Sequence, residues 1–245
     1  MTNPTAAMLV IGDEILSGRT REANAFHLAG RLGALGIDLR EIRVVPDDHA
    51  VIVDALRALR DAHDHVFTSG GIGPTHDDIT ADAVADAFGV GIEVRDDARA
   101  LLQEAVGRDR TLTDEHLRMA RIPHGAALID NPISAAPGFT VGNVHVMAGV
   151  PAIFVAMLDA VLPGLEAGSP VLARELRFEV GEGRIAAALR ALADEMPDLS
   201  IGSYPFREGS AFGTNIVVRG TDPGRIDQAL ARLEEMRRLS GNVGA

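Results

Sequence analysis

The stretch VFTSGGIGPTHDDITADAVADAF (Val66–Phe88) shows in one place how the chain is built. Four residues without a charge, Val66 to Ser69, run into Gly70-Gly71-Ile72-Gly73-Pro74, and helical spacing sets in from Ile79 to Phe88. A short apolar run, a glycine-rich turn and an amphipathic helix in that order predict one unit of a parallel sheet with crossover helices. The same unit occurs twice before it. Ala6–Ile11 reads as a buried strand, GDEILSG as a turn, and Glu22–Leu35 as a helix with Phe26, Ala29, Leu32 and Leu35 on one face, stopped by Gly36. Ile37–Val45 reads as the second strand, and Asp48 stands where an N-cap belongs, ahead of Val51, Ile52, Ala55, Leu56 and Leu59 at helical spacing.

Beyond Phe88, helical patterning over Asp96–Arg121 breaks near Gly107–Thr113 and predicts two helices. Phe139–Val141 and Val144–Met147 flank Gly142-Asn143, a hairpin connection, so an antiparallel pair joins the sheet. Pro151–Leu165 is a helix with proline near its start, and Gly164–Pro170 reads as a linker. The remainder reads strand (Arg174–Val180), helix (Gly183–Met196), strand (Leu199–Phe206), strand (Asn215–Arg219), helix (Asp222–Leu239). The predicted architecture is an α/β domain over residues 1–168 and a small α+β domain, βαββα, over 169–245.

Composition removes whole classes of chemistry. The 245 residues contain no Cys, which excludes disulfides, thiol nucleophiles, cysteine-bound zinc and iron–sulfur clusters. All 23 basic residues are Arg, so a Schiff-base lysine, a pyridoxal phosphate anchor and a Walker A lysine are excluded too. A net charge of −12 repels phosphate backbones, and no nucleic-acid partner is expected. The longest uncharged apolar run, Val146–Leu158, is broken by Gly149 and Pro151 and falls short of a membrane span. The N-terminus lacks a basic start, so a cytoplasmic location with no membrane partner is expected.

In an open parallel sheet, ligands bind beyond the carboxyl ends of the strands. Three such exits carry acids: Gly12-Asp13-Glu14, Pro46-Asp47-Asp48-His49, and the loop Gly70 to Asp78. The glycines admit close approach of an anion to backbone N–H groups, and the following helix adds its positive N-terminus, which suits a phosphate or pyrophosphate. Acids beside such a ligand repel it unless a cation intervenes, so a Mg²⁺-type ion held by Asp47, Asp77 or Asp78 is expected. Asp48 and Asp78 also stand at helix starts, where capping alone accounts for a carboxylate. Asp47 and Asp77 exceed what capping needs. His49 and His76 flank the acid pairs as ligands, proton carriers or plain surface residues.

These residues also carry a resemblance. TSGGIGPTHDDIT (Thr68–Thr80), VIGDEILSG (Val10–Gly18), Asn24-Ala25 and VVPDD (Val44–Asp48) resemble the molybdopterin-binding MoaB/Mog family, and the THDDIT form is similar to the N-terminal domain of CinA-like proteins. The similarity runs on through NPISAAPGF (Asn131–Phe139) and AGVPAIFVAML (Ala148–Leu158). It implies a three-layer α/β/α Mog-like domain with a mostly parallel sheet, a small-molecule nucleotide or pterin ligand, and a homodimer or homotrimer. It assigns Asp47 and Asp78 as the catalytic pair and Gly12, Asp13, Glu14, Ser17, Asn24, Ser69, Gly70, Gly71, Gly73, Pro74, Thr75, Ser134, Gly149 and Pro151 to the ligand. Where the family usually has a proline before GVP this chain has Ala148, and Ala152-Ile153 replaces a basic–acidic pair. The residues after 168 are too few for the C-terminal amidohydrolase domain of CinA proteins, so nicotinamide-nucleotide deamidation is not expected of them.

Three activities follow as expectations. The first is a CinA-type pyrophosphatase cleaving ADP-ribose or FAD-like dinucleotides with Mg²⁺, Mn²⁺ or Co²⁺. The second is molybdopterin binding or adenylyl transfer. The third is a nucleotide-binding module without catalysis, suggested by the altered Ala148–Ile153 segment.

Overall fold

A computed structural model describes residues 3–209 and 211–241, which separate into two compact units divided between Gly168 and Ser169. In chain order the first contains β1 (Thr5–Ile11), α1 (Asp13–Leu16), α2 (Asn24–Ala34), β2 (Asp38–Val45), α3 (His49–Ala62), β3 (His65–Ser69), α4 (Thr80–Phe88), β4 (Ile92–Val94), α5 (Asp96–Val106), α6 (Asp114–Arg118), β5 (Arg121–Pro123), β6 (Ala127–Ile129), β7 (Gly138–Val141), β8 (Val144–Met147) and α7 (Pro151–Val161). The second contains β9 (Leu172–Phe178), α8 (Ala186–Glu195), β10 (Ser200–Glu208), β11 (Ala211–Gly220) and α9 (Pro223–Gly241).

The main sheet has the order β2-β1-β3-β8-β7-β6. The first four strands are parallel; β7 runs antiparallel to both its neighbours, so β6 points the same way as β8. Period-two alternation distributes β1 between two cores. Ala7, Leu9 and Ile11 face α3, α4 and α5, whereas Ala6, Met8 and Val10 face α2 and α7. This is the expected three-layer arrangement, with the sheet buried on both faces. In the second unit an antiparallel sheet, β10-β11-β9, packs its Ile216, Val218 and Phe178 face against α8 and α9. Among the described residues no helix is long and apolar enough to cross a membrane.

Two local expectations are corrected. The turn GDEILSG contains a helical turn, α1, whose first residues are Asp13 and Glu14. On α2 the buried stripe is Ala25, Leu28 and Leu32, while Phe26 is 87% exposed and Ala29 is also exposed. Either stripe satisfies i, i+3, i+4 spacing, so periodicity alone could not choose the face. Packing chose the one that places Asn24 against the sheet. The short strands β4, β5 and β6, three residues each, lie below the length at which a period can be read.

Candidate functional site

The chain leaves β1 for β2 on one side and returns to β3 on the other, so the switch point of the sheet lies between the carboxyl ends of β1 and β3. Three glycines let the backbone close up there. Gly70 has φ 109°, and a Cβ on it would lie 2.2 Å from the carbonyl oxygen of Ile11. Gly71 has φ 69°, with Thr80 Oγ1 only 2.1 Å from where its Cβ would stand. A Cβ on Gly149, beyond β8, would meet Gly70 Cα at 3.3 Å. The fully buried Thr80 fastens the turn, its hydroxyl donating to the Gly70 carbonyl and its N–H to that of Gly71, each at 3.0 Å. Asn24, 5% exposed, donates from Nδ2 to Ser69 Oγ (2.7 Å) and to the Gly149 carbonyl (2.8 Å), tying α2 to the exits of β3 and β8.

The acids divide by what holds them. Asp48 caps α3, its Oδ1 accepting the Val51 N–H at 3.1 Å. Asp78 does not cap α4, contrary to its position in the sequence: the helix begins at Thr80 after Ile79. Its Oδ2 instead accepts the N–H (2.8 Å) and hydroxyl (2.6 Å) of Thr75, closing a loop turn. Asp47 Oδ2 accepts the Asp13 N–H at 2.9 Å. Burial pushes the Asp47 carboxyl above the ordinary range, opposed by that hydrogen bond and reinforced by the charges of Asp13, Glu14 and Asp77. His76 is exposed, with Nδ1 3.9 Å from Asp77, and His49 pairs with Asp86.

Two open cavities of about 550 Å³ each meet at these acids, both bordered by Glu14, Asp47 and Asp77. The main cavity is also lined by Gly12, Gly70, Gly71, Gly73, Pro74, Asp78, Ser134, Gly149 and Pro151. The second, an acidic recess, adds Asp13 and Ser17. Asn24 and Ser69 border a smaller pocket of about 50 Å³ together with Gly149 and Pro151. Thr75 lines none of these; its donors are spent on Asp78. Among the described residues no three Asp, Glu or His side chains are already gathered as an ion cage.

Several participants were not among the expected site residues. Ile72, Met119, Ile153 and Met157 form an apolar wall of the main cavity. Asn131, 4% exposed, shapes another wall: its Nδ2 donates to Ser134 Oγ and the Ala136 carbonyl, and its Oδ1 accepts the N–H groups of Ile133 and Ser134. Arg118 reaches from α6 to the carbonyls of His76 (3.3 Å) and Asp78 (3.0 Å) and so braces the acid loop. The NP dipeptide and the resemblance over NPISAAPGF pointed to the Asn131 turn, though not to its bonding. Nothing local marks Arg118.

The family model of the probable molybdopterin-binding domain matches residues 7–167, and that of the FAD synthase middle domain matches residues 170–240. The chain is 30% identical over 231 residues to a protein of Archaeoglobus fulgidus, covering 94% of this chain and 96% of that one. It is 31% identical to a probable FAD synthase of Caenorhabditis elegans, spanning 98% of this chain but half the length of that relative. The crystal structure of the protein CinA from Thermoplasma acidophilum, 34% identical, superposes with a TM-score of 0.63 over 67% of this chain and 99% of that one.

Proposed function

The chain belongs to the probable molybdopterin-binding domain family, and from that premise we propose that it is a divalent-metal-dependent pyrophosphatase of ADP-ribose or FAD-like dinucleotides. The observation that carries the reading is Asp47. It is held at the junction of two cavities, facing a glycine turn suited to phosphate, with three carboxylates beside it and its own carboxyl raised by burial and their charge. A two-part cavity suits a two-part ligand: one ring system against Ile72, Met119 and Met157, the diphosphate across Gly70–Gly73, and the other half toward the recess.

The donors around Asp47 are carboxylates, with the His76 imidazole also bordering the recess, a set that suits Mg²⁺, Mn²⁺ or Co²⁺ rather than a thiolate-seeking ion. Hard cations of this kind use one or two carboxylates and complete their shell with water and phosphate oxygens, so a ready cage is not needed. Asp47 and Asp77 hold the metal, with Asp78 at the edge of the main cavity. A metal held by Asp47 and Asp77 would supply charge neutralisation of the diphosphate and a lowered pKa of attacking water. Asp47 orients that water, and the Gly70–Gly73 N–H groups hold the phosphate under attack. Water adds to one phosphorus as its bond to the bridging oxygen breaks, giving AMP and a second monophosphate. Incubation with ADP-ribose or FAD and each metal in turn tests the reading: AMP is released, and its absence under all three metals refutes hydrolysis.

One observation favours a second reading. The apolar wall and the size of the main cavity suit a pterin as well as a nucleobase, so molybdopterin binding or adenylyl transfer is the alternative. Co-purified pterin fluorescence or ATP-dependent adenylylation supports it. Ligand binding that raises the melting temperature without turnover marks a non-catalytic module instead. A homodimer or homotrimer is the assembly proposed with this reading, which sedimentation measures directly.

A further inference from the structure

The acidic recess contains an arginine that the proposed hydrolysis has not used. Asp13, Glu14, Asp47 and Asp77 border it, together with His76 and Arg19. An arginine facing several carboxylates ordinarily folds onto one, as Arg121 does on Asp82 and Arg95 on Asp97. Arg19 does not: among the described residues it forms neither an ion pair nor a hydrogen bond. The backbone that carries it is fixed. The Gly18 N–H donates to the Ile15 carbonyl at 3.1 Å and the Thr20 N–H to the Glu14 carbonyl at 2.9 Å, so the main chain is fastened on both sides of Arg19. Gly18, with φ 72°, sets the turn. Thr20 borders the main cavity and Arg19 the recess, which puts a fixed attachment point with a free guanidinium at the boundary between them.

We infer that Arg19 is a diphosphate-contacting residue that binds the phosphate lying on the recess side of the Gly70–Gly73 loop. Two negative phosphates must enter a site already crowded with carboxylates, and the chain has no lysine to receive them. One metal ion meets the charge shared with Asp47 and Asp77. The second phosphate needs its own donor, and an unpaired guanidinium presents a planar fork that matches two phosphate oxygens. Of the other arginines near the site, Arg118 is occupied with the carbonyls of His76 and Asp78, and Arg21 borders the small pocket of Asn24 and Ser69 rather than the recess. The inference rests on the nucleotide reading of the site but assigns a role that hydrolysis does not require.

The test uses Arg19→Gln and Arg19→Lys with adenosine, AMP, ADP, ADP-ribose and inorganic pyrophosphate, each with Mg²⁺, by calorimetry and thermal shift. The exposed side chain makes no hydrogen bond or ion pair, so both variants melt with the wild type. In Arg19→Gln the affinity gained from AMP to ADP, and the affinity for pyrophosphate, falls roughly tenfold or more, while adenosine binding is unchanged. Arg19→Lys recovers part of the loss, keeping the charge without the fork. Equal binding of ADP and pyrophosphate to wild type and Arg19→Gln overturns the assignment, as does failure of both ligands to bind the wild type. If ADP-ribose is not cleaved while pyrophosphate binding still depends on Arg19, hydrolysis falls and the assignment stands.

Discussion

The two rims of the main sheet use the same residue type in opposite ways. At the amino ends of β1 and β3, the Asp64 carboxylate accepts the Thr5 N–H and hydroxyl, both at 2.8 Å, and these bonds hold its carboxyl below the ordinary range. Nearby Asn143 donates to the carbonyls of Arg60 and His63, closing the β7–β8 turn onto α3. At the carboxyl ends, Asp13, Glu14, Asp47 and Asp77 stand together, and Asp47 is raised. At the amino rim two donors to one carboxylate stabilise the fold; at the carboxyl rim Asp47 accepts one N–H, yet burial and the charges of Asp13, Glu14 and Asp77 outweigh it, which costs stability.

The largest expected effect is on the carboxyl rim and is steric. Gly70→Ala forces a Cβ to within 2.2 Å of the Ile11 carbonyl oxygen at φ 109°, with backbone on both sides of the collision. It lowers unfolding free energy by at least about 3 kcal/mol in urea titration; a loss under about 1 kcal/mol means the switch-point turn is slack. Next comes an exception on the amino rim. His145, 6% exposed, stacks on Phe67 with centroids 4.9 Å apart, lies 3.0 Å from Thr140 Oγ1 through Nδ1, and its Nε2 has no partner. Burial, with His65 alongside, pushes its pKa down to about 4. The unfolded chain therefore takes up a proton near pH 6.5 that the folded chain refuses until about pH 4. Stability drains across that window, by on the order of 3 kcal/mol at its acid end. In His145→Gln the melting temperature changes less between pH 6.5 and 4 than in wild type; an unchanged slope shows that His145 is not the group responsible.

Legibility followed the same division. Parallel strands, the order of the longer elements and the rim at which acids converge could be read because repeated strand–loop–helix spacing fixes them locally, whereas α1 and the three-residue strands β4, β5 and β6 could not. The face of α2 could not, because Ala25 and Phe26 fit a helical stripe equally well and only the sheet decides. Asp78 looked like a cap because it precedes a helix, yet Thr75 three residues earlier captured its carboxylate. Asn131 and Arg118 act over distances in sequence that no local pattern spans. The apolar cavity wall was hidden for another reason: Met119, Ile153 and Met157 come from separate elements and are chemically indistinguishable from core.

A pair of substitutions breaks the comparison if it is wrong. Asp64→Ala removes the acceptor for two Thr5 donors and lowers the melting temperature above pH 4, an effect that fades as acid protonates wild-type Asp64. Asp47→Asn keeps an oxygen for the Asp13 N–H but discards a charge that the folded state disfavours. Because a raised carboxyl destabilises the native state above its unfolded pKa, Asp47→Asn melts at or above wild type at pH 7. Turnover of the proposed substrate falls roughly a hundredfold or more. An Asp47→Asn variant that melts well below wild type makes Asp47 a structural acid like Asp64.

The smallest effect concerns backbone strain. Ala135 is the one non-glycine residue with positive φ, 59°, among the described residues, and it sits in the loop that follows β6 on the carboxyl rim. The neighbouring hydrogen bonds of Asn131 hold it there. The left-handed conformation costs an L-residue with a Cβ about 1–2 kcal/mol, whereas glycine adds about 0.5–1 kcal/mol of unfolded-state entropy. Ala135→Gly therefore gains about 0.5 kcal/mol net in urea titration. Ala136→Gly carries the same entropy cost without relief and loses about 0.5–1 kcal/mol. The sign difference between adjacent alanines isolates strain from entropy. If both variants lose stability equally, Ala135 is relaxed, and the strain that distinguishes the carboxyl rim lies in its acids alone.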